Sequence, residues 1–198
     1  MVDIFEAESK PYGFTYEDHI IKDWKRNLSL PLDENPLEDK TGERTFYGVD
    51  KNSPLIYLSG NTGGTTERTC KIGSGVGCFI CIGDAVYSEA EKPGSTVDDL
   101  HTLAKKDQDN VTDLYLKIDD QEFNFEDLKK FRFHTKDFEV QHPQKALFGA
   151  KPGPSKAVAD GYYVITKGFG PGKHTIVTRA SVSDPTWDSK AKYNLEVS

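Results

Sequence analysis

The stretch 58-LSGNTGGTTERTCKIGSGVGCFICIG-83 gathers three glycine clusters and all three cysteines of a 198-residue chain. Three structures compete for it: a phosphate cradle, a metal knuckle, or tight turns between strands. A phosphate loop needs a glycine-rich turn that delivers backbone N–H groups, and commonly a lysine, at the start of a helix. Here Gly60, Gly63 and Gly64 run into 65-TTERTCKI-72, which is β-branched and alternating, and no Gly-Lys-Ser/Thr closes the motif. These glycines fit turns that need positive φ. A structural zinc site asks for four ligands, usually in two close pairs. Cys78 and Cys81 have the spacing, but on a strand over 77–82 they leave opposite faces, and Cys70 adds only a third ligand. The stretch therefore reads as two turns and two strands, with Cys78–Cys81 as a buried apolar segment. A Cys70–Cys78 cross-strand disulfide stays open.

Outward from this stretch the pattern is mostly that of strands. Segments 44–49, 54–58, 65–72, 77–82, 112–118, 131–134, 137–141, 158–167, 174–181 and 192–197 are short, rich in β-branched and aromatic residues, and bounded by Gly, Asn, Asp or Pro. Alternation in 162-YYVITKGFGPGKHTIVTRA-180 predicts a hairpin, and 114-LYLKIDDQEFNF-125 a second one. Residues 143–156, with three prolines, read as a long surface loop. Two helices interrupt the strands. One runs over about 15–29, opened by Thr15 and Asp18, with Tyr16, Ile20, Ile21, Trp24 and Leu28 at helical spacing. The other runs over 96–107, opened by Thr96 and Asp99. The expected fold is mainly β: a single domain over 1–198, an antiparallel two-sheet β-sandwich, jelly-roll or Ig-like, with an N-terminal amphipathic helix and one further short helix.

Composition narrows the partners. The net charge of −7 is spread along the chain without basic blocks, which argues against nucleic acid, since a phosphate backbone is bound through concentrated positive charge. No apolar run approaches the roughly 20 residues that span a bilayer, so the expectation is a soluble protein without membrane insertion. The N-terminal residues show no secretory signal, and an odd cysteine count leaves at least one thiol unpaired within a monomer.

The ordered set 11-PYGFTY-16, Trp24 with 28-LSLP-31, 35-NPLEDKTG-42, 55-LIYLSGNTGGTTERTCKI-72 and 160-DGYYVITKGFGPGKHTI-176 resembles a family of uncharacterised archaeal and bacterial proteins. The resemblance spans most of the chain. It implies an all-β domain, often exported, and brings no activity with it. Relatives carry further tryptophans where this chain has Asp23 and Arg26, and a cysteine near Glu43–Phe46, where this chain has none to pair with Cys70.

Chemistry is sparse. The five histidines have no metal-helix spacing, and no Gly-x-Ser-x-Gly elbow exists. Asp39, Arg68, His174 and Trp24 form the candidate polar cluster. A buried Asp39–Arg68 pair tying a loop to a strand would account for the first two, and a ring nitrogen bonded to nearby backbone for the third. Asp107, Asp109 and Asp113 are weak candidates for calcium, lacking the glycine and terminal glutamate of an EF-hand loop. No cofactor is expected. The leading expectation is a non-catalytic binding or structural module for a protein or carbohydrate ligand, at the cell surface. The alternatives are a carboxylate- or metal-assisted hydrolase built from Asp39, Arg68 and His174, and a metal or redox protein using the cysteines.

Overall fold

The computed structural model describes residues 2–50 and 52–198. Helix α1 (Tyr16–Ser29) opens on a reciprocal cap: the Thr15 hydroxyl accepts from the Asp18 amide at 3.1 Å, and the Asp18 carboxylate accepts from the Thr15 amide at 3.0 Å. This satisfies N–H groups that a helix start otherwise leaves free. Its inner face buries Tyr16, Ile20, Trp24 and Leu28, and, beside them, the polar His19, Asp23 and Asn27. Helix α2 (Val97–Asp109) repeats the device with Thr96 and Asp99, and packs Leu100 and Ala104 on Val158. A third helix, α3 (Phe125–Leu128), is one turn long and is capped by Asn124.

Among the described residues ten strands make two five-stranded sheets. The first contains β1 (Leu55–Leu58), β3 (Gly77–Ser88), β8 (Gly153–Ile165) and β6 (Arg132–His134) in that order, with β7 (Phe138–His142) also paired to β8. The second runs β2 (Gly64–Ile72), β10 (Thr186–Val197), β9 (Gly172–Ser183), β4 (Val111–Ile118) and β5 (Gln121–Phe123). Inward residues of both sheets share one core, among them Phe79, Ile80, Tyr163, Val164, Leu116, Ile176 and Leu195. The sheets approach closely where Gly83 of β3 faces Ala180 of β9. A methyl group at position 83 would come within 2.6 Å of the Ala180 Cβ.

Several expectations are corrected. The sheets are mixed: β1 lies parallel to β3, and β2 parallel to β10, each pair at a sheet edge. The chain leaves β1 for β2 in the other sheet and returns to β3, so that detour supplies the crossover a parallel pair requires. Residues 44–49 are consecutive turns, with Tyr47 N–H bonded to the Arg44 carbonyl at 3.0 Å and Val49 N–H to that of Phe46 at 3.1 Å. The 162–180 segment supplies two strands but no hairpin. β8 belongs to the first sheet and β9 to the second, because buried Phe169 and the tight approach of Gly168 to the Gly75 backbone turn the chain across the core. The 114–125 segment does form a hairpin, with Leu116 opposite Phe123. Residues 153–156, expected as loop, begin β8 and pair with β7. Pro154 is tolerated there because it stands at the strand's start. Among the described residues no helix is long and apolar enough to cross a membrane.

Candidate functional site

The candidate polar cluster does not converge on one site: Asp39 and Arg68 meet, while His174 and Trp24 lie elsewhere. Arg68 is 2% exposed and donates only inward: Nε to the Asp39 carbonyl at 2.7 Å, Nη2 to the Leu37 carbonyl at 3.3 Å, Nη1 to the Gly60 carbonyl and to the Tyr193 hydroxyl at 3.1 Å. It ties the loop to β2 through backbone oxygens instead of the expected carboxylate. The Asp39 carboxylate instead takes the amides of Thr41, Gly42 and Arg44, each at 2.9 Å, and the Thr41 hydroxyl at 3.0 Å. Burial opposes its ionisation, but these donors, with the Arg68 charge behind them, hold the carboxyl below its usual range. His174 joins two turns, with Nδ1 at 2.7 Å from Asp119 and Nε2 at 3.0 Å from the Gly170 carbonyl.

The other candidates also find structural partners. All three cysteines are buried free thiols; Cys70 contacts the Thr45 hydroxyl at 3.3 Å, and no Cys70–Cys78 disulfide is present. Asp107 accepts from the Tyr87 hydroxyl, Asp109 pairs with Lys105 and Arg132, and Asp113 pairs with Arg179. Their carboxylates face different partners and do not converge on a cation. Among the described residues no group of three or more His, Cys, Asp or Glu side chains is placed to hold a metal.

Trp24 leads to a different place. Its indole N–H donates to Asp84 Oδ2 at 3.0 Å, and the Tyr163 hydroxyl donates to the same oxygen at 2.7 Å. Asp84 lies on β3 just past an irregularity at Cys81–Gly83, opposite Gly161 of β8. Any side chain at 161 would collide with the Asp84 Cβ, so glycine there makes room for the carboxylate. Burial pushes the Asp84 carboxyl up to about 6, with nearby Asp23 adding to the effect, against the pull of Tyr163, Cys81 and Trp24. Beneath it the polar residues of α1 are closed off. Asp23 accepts from Ser59 at 2.8 Å and Asn27 at 3.2 Å and pairs with Arg26 at 3.1 Å.

Asp84 and Trp24 line a pocket of about 250 Å³ that also touches Glu91, Asp107, Gln108 and Trp187. Tyr87 donates its hydroxyl to Asp107 at 2.6 Å on one side. Burial raises the Glu91 carboxyl above its usual range, despite Lys92 at 3.3 Å. Gln108 is 3% exposed, and its Oε1 is buried without a hydrogen-bond partner, which costs free energy unless something fills the pocket beside it. Phe148 also lines the pocket. It is 46% exposed and holds a positive φ of 56°, the kind of local strain that a fold retains where a side chain has to be presented. A second concavity, of about 360 Å³ between Phe46, Ile56, Ile72 and Val76, contains no such unpartnered polar atom among the described residues.

Sequence reasoning found Trp24 and missed Asp84, Glu91, Tyr87 and Gln108. The available signal was a charged residue inside the apolar run 77-GCFICIGDAVY-87, where Gly83-Asp84 passes for a turn and is in fact mid-strand.

No family model and no curated protein matches the chain. Among solved structures it is similar to a chain in the structure of PbICP-C in complex with falcipain-2, at 17% identity and a TM-score of 0.31 over 73% of this chain and 98% of that one. It is also similar to amebosin in solution, at 12% identity and a TM-score of 0.25 over 73% and 96%. Both likenesses are too distant to bear on the site.

Proposed function

We propose that the chain is a two-sheet β-sandwich binding module whose ligand sits in the pocket floored by Asp84. The sandwich reading is supported by the shared core and by the close approach of β3 to β9. The ligand reading is carried by Asp84 itself: two strong donors, an indole N–H and a phenol, converge on Oδ2 at the base of a pocket with an unpartnered Gln108 oxygen. The pocket is smaller than the roughly 300–1,000 Å³ typical of drug-sized ligands, so its occupant is one ring or one side chain in size.

The chain's two tryptophans, Trp24 and Trp187, both line this pocket, so emission reports on it directly. Titration with a panel of monosaccharides, amines and amino acids is expected to give a saturable change, abolished when Ala85→Phe fills the pocket. A panel without any saturable response, or a response that survives Ala85→Phe, would overturn the proposal.

One observation favours a second reading. A carboxyl that titrates at about 6 can pass a proton near neutral pH, which makes Asp84 the candidate acid of a hydrolase, with Glu91 its neighbour in the pocket. Turnover of nitrophenyl glycosides or esters that disappears in Asp84→Asn would establish catalysis, and its absence across both series would leave the binding module.

A further inference from the structure

The polar atoms around the pocket are unequally divided between donors and acceptors. Three carboxylates line it, Asp84, Glu91 and Asp107, together with the unpaired Gln108 Oε1. Apart from the Gln108 NH2 group, its side-chain donors are committed. The Trp24 indole bonds Asp84, the Tyr87 hydroxyl bonds Asp107, and the Thr62 hydroxyl bonds Glu38 at 3.0 Å. The Asn61 amide serves Thr66 and the Lys190 carbonyl, and the Trp187 indole serves the Thr62 carbonyl at 3.3 Å. Among the described residues no Lys, Arg or His side chain lines the pocket. Two cations around it are spoken for: Arg26 pairs with Asp23 beneath the floor, and Lys92 pairs with Glu91 while lying over the Tyr87 ring at 5.1 Å.

That arrangement discriminates between ligand classes. An anion would meet three carboxylates and no counter-charge. A neutral sugar brings hydroxyl oxygens that need donors, and few are left. A group that only donates meets acceptors throughout: an ammonium has three N–H bonds to give, a guanidinium five. The apolar part of the wall, Leu37, Val86, Val182 and Pro185, suits an alkyl stem, and aromatic rings such as those of Phe148 and Trp187 favour a cation at their faces.

We infer that the pocket recognises an organic cation, an ammonium or guanidinium group on a short apolar stem, with Asp84 as its counter-ion. This rests on the binding-module reading above. Two sources share the chemistry, a free small amine and the side chain of an arginine or lysine in another polypeptide.

The test compares matched pairs by tryptophan emission on the full chain: putrescine with 1,4-butanediol, methylguanidine with methylurea, and glucosamine with glucose. The cations are expected to bind at least about tenfold more tightly than their neutral partners. Their affinity should drop about tenfold or more in Asp84→Asn, and fall in the wild type as the pH is lowered through about 6. Glu91→Gln, nearer the rim, provides a second variant with a smaller loss in the same direction. Neutral members that bind as tightly as cations, or better, with binding abolished by Ala85→Phe, would overturn the cation inference and leave the pocket reading in place. No response from either series would sink both. Blocked acetyl-arginine amide and acetyl-lysine amide separate the sources: a gain over methylguanidine points to a polypeptide, and a loss to a free amine.

Discussion

Asp39 and Asp84 are both carboxylates drawn into the protein, and their pKa values are displaced in opposite directions, Asp39 down and Asp84 up. Asp39 collects four bonds from three backbone amides and a hydroxyl, with Arg68 behind it, so its charge is fully answered. Asp84 has two strong donors, both on one oxygen, a weakly donating thiol, Cys81, and a second carboxylate, Asp23, nearby. What differs is saturation. A closed polar network binds the fold to itself, whereas an incomplete one at a pocket keeps bonding capacity for something else.

Breaking the closed side should cost most. Arg68→Met leaves the Asp39, Gly60 and Leu37 carbonyls buried without their donor, and is expected to lower stability by about 3–5 kcal/mol in urea denaturation. A loss below about 1 kcal/mol would mean that this junction is not the fastening described.

The open side should respond with the other sign. The Asp84 carboxyl is raised from 3.8 to about 6 on folding, so its favourable contribution is complete below about pH 4 and is lost as pH rises through 6. Asp84→Asn, which keeps an acceptor for Trp24 and Tyr163, should therefore stabilise the chain by about 2–3 kcal/mol at pH 7 and by little at pH 4, while ligand affinity is lost. Destabilisation at pH 7 would erase the contrast with Asp39.

His142 offers a smaller test of the same principle. It is 1% exposed with both ring nitrogens unpartnered, and burial lowers its pKa below 6.5. The unfolded chain then binds the proton first as pH falls, so stability declines below about pH 6.5. His142→Leu should remove that part of the decline and add about 1 kcal/mol at pH 5.5. The smallest effect is expected at Asp113, whose pairing with Arg179 is solvent-exposed on both sides. Asp113→Asn should change the melting free energy by less than about 0.5 kcal/mol, whether calcium or a chelator is present.

Strands with one face in the core were legible. β2 and β9 show alternate burial along much of their length because one side chain in two meets water, and their sequences alternate accordingly. Their partners were not legible, since alternation carries no information about which strand lies alongside. Thr45, Phe46, Tyr47 and Val49 have strand-forming side chains, but the turns that begin at the Asp39 amide nest carry through them. The capping pairs at Thr15 and Thr96 were readable because their bonds span only three residues. The pocket was not, since its walls come from α1, β3, α2, β9, β10 and several connecting loops, and only the fold brings those together.

The inner face of α1 carries Trp24 at the pocket one residue from Asp23, which is bonded to Ser59 and Asn27. A ligand that pulls on Asp84 therefore loads the whole helix through one indole. Amide hydrogens of α1, far from any contact with the occupant, should exchange with deuterium more slowly once the pocket is filled.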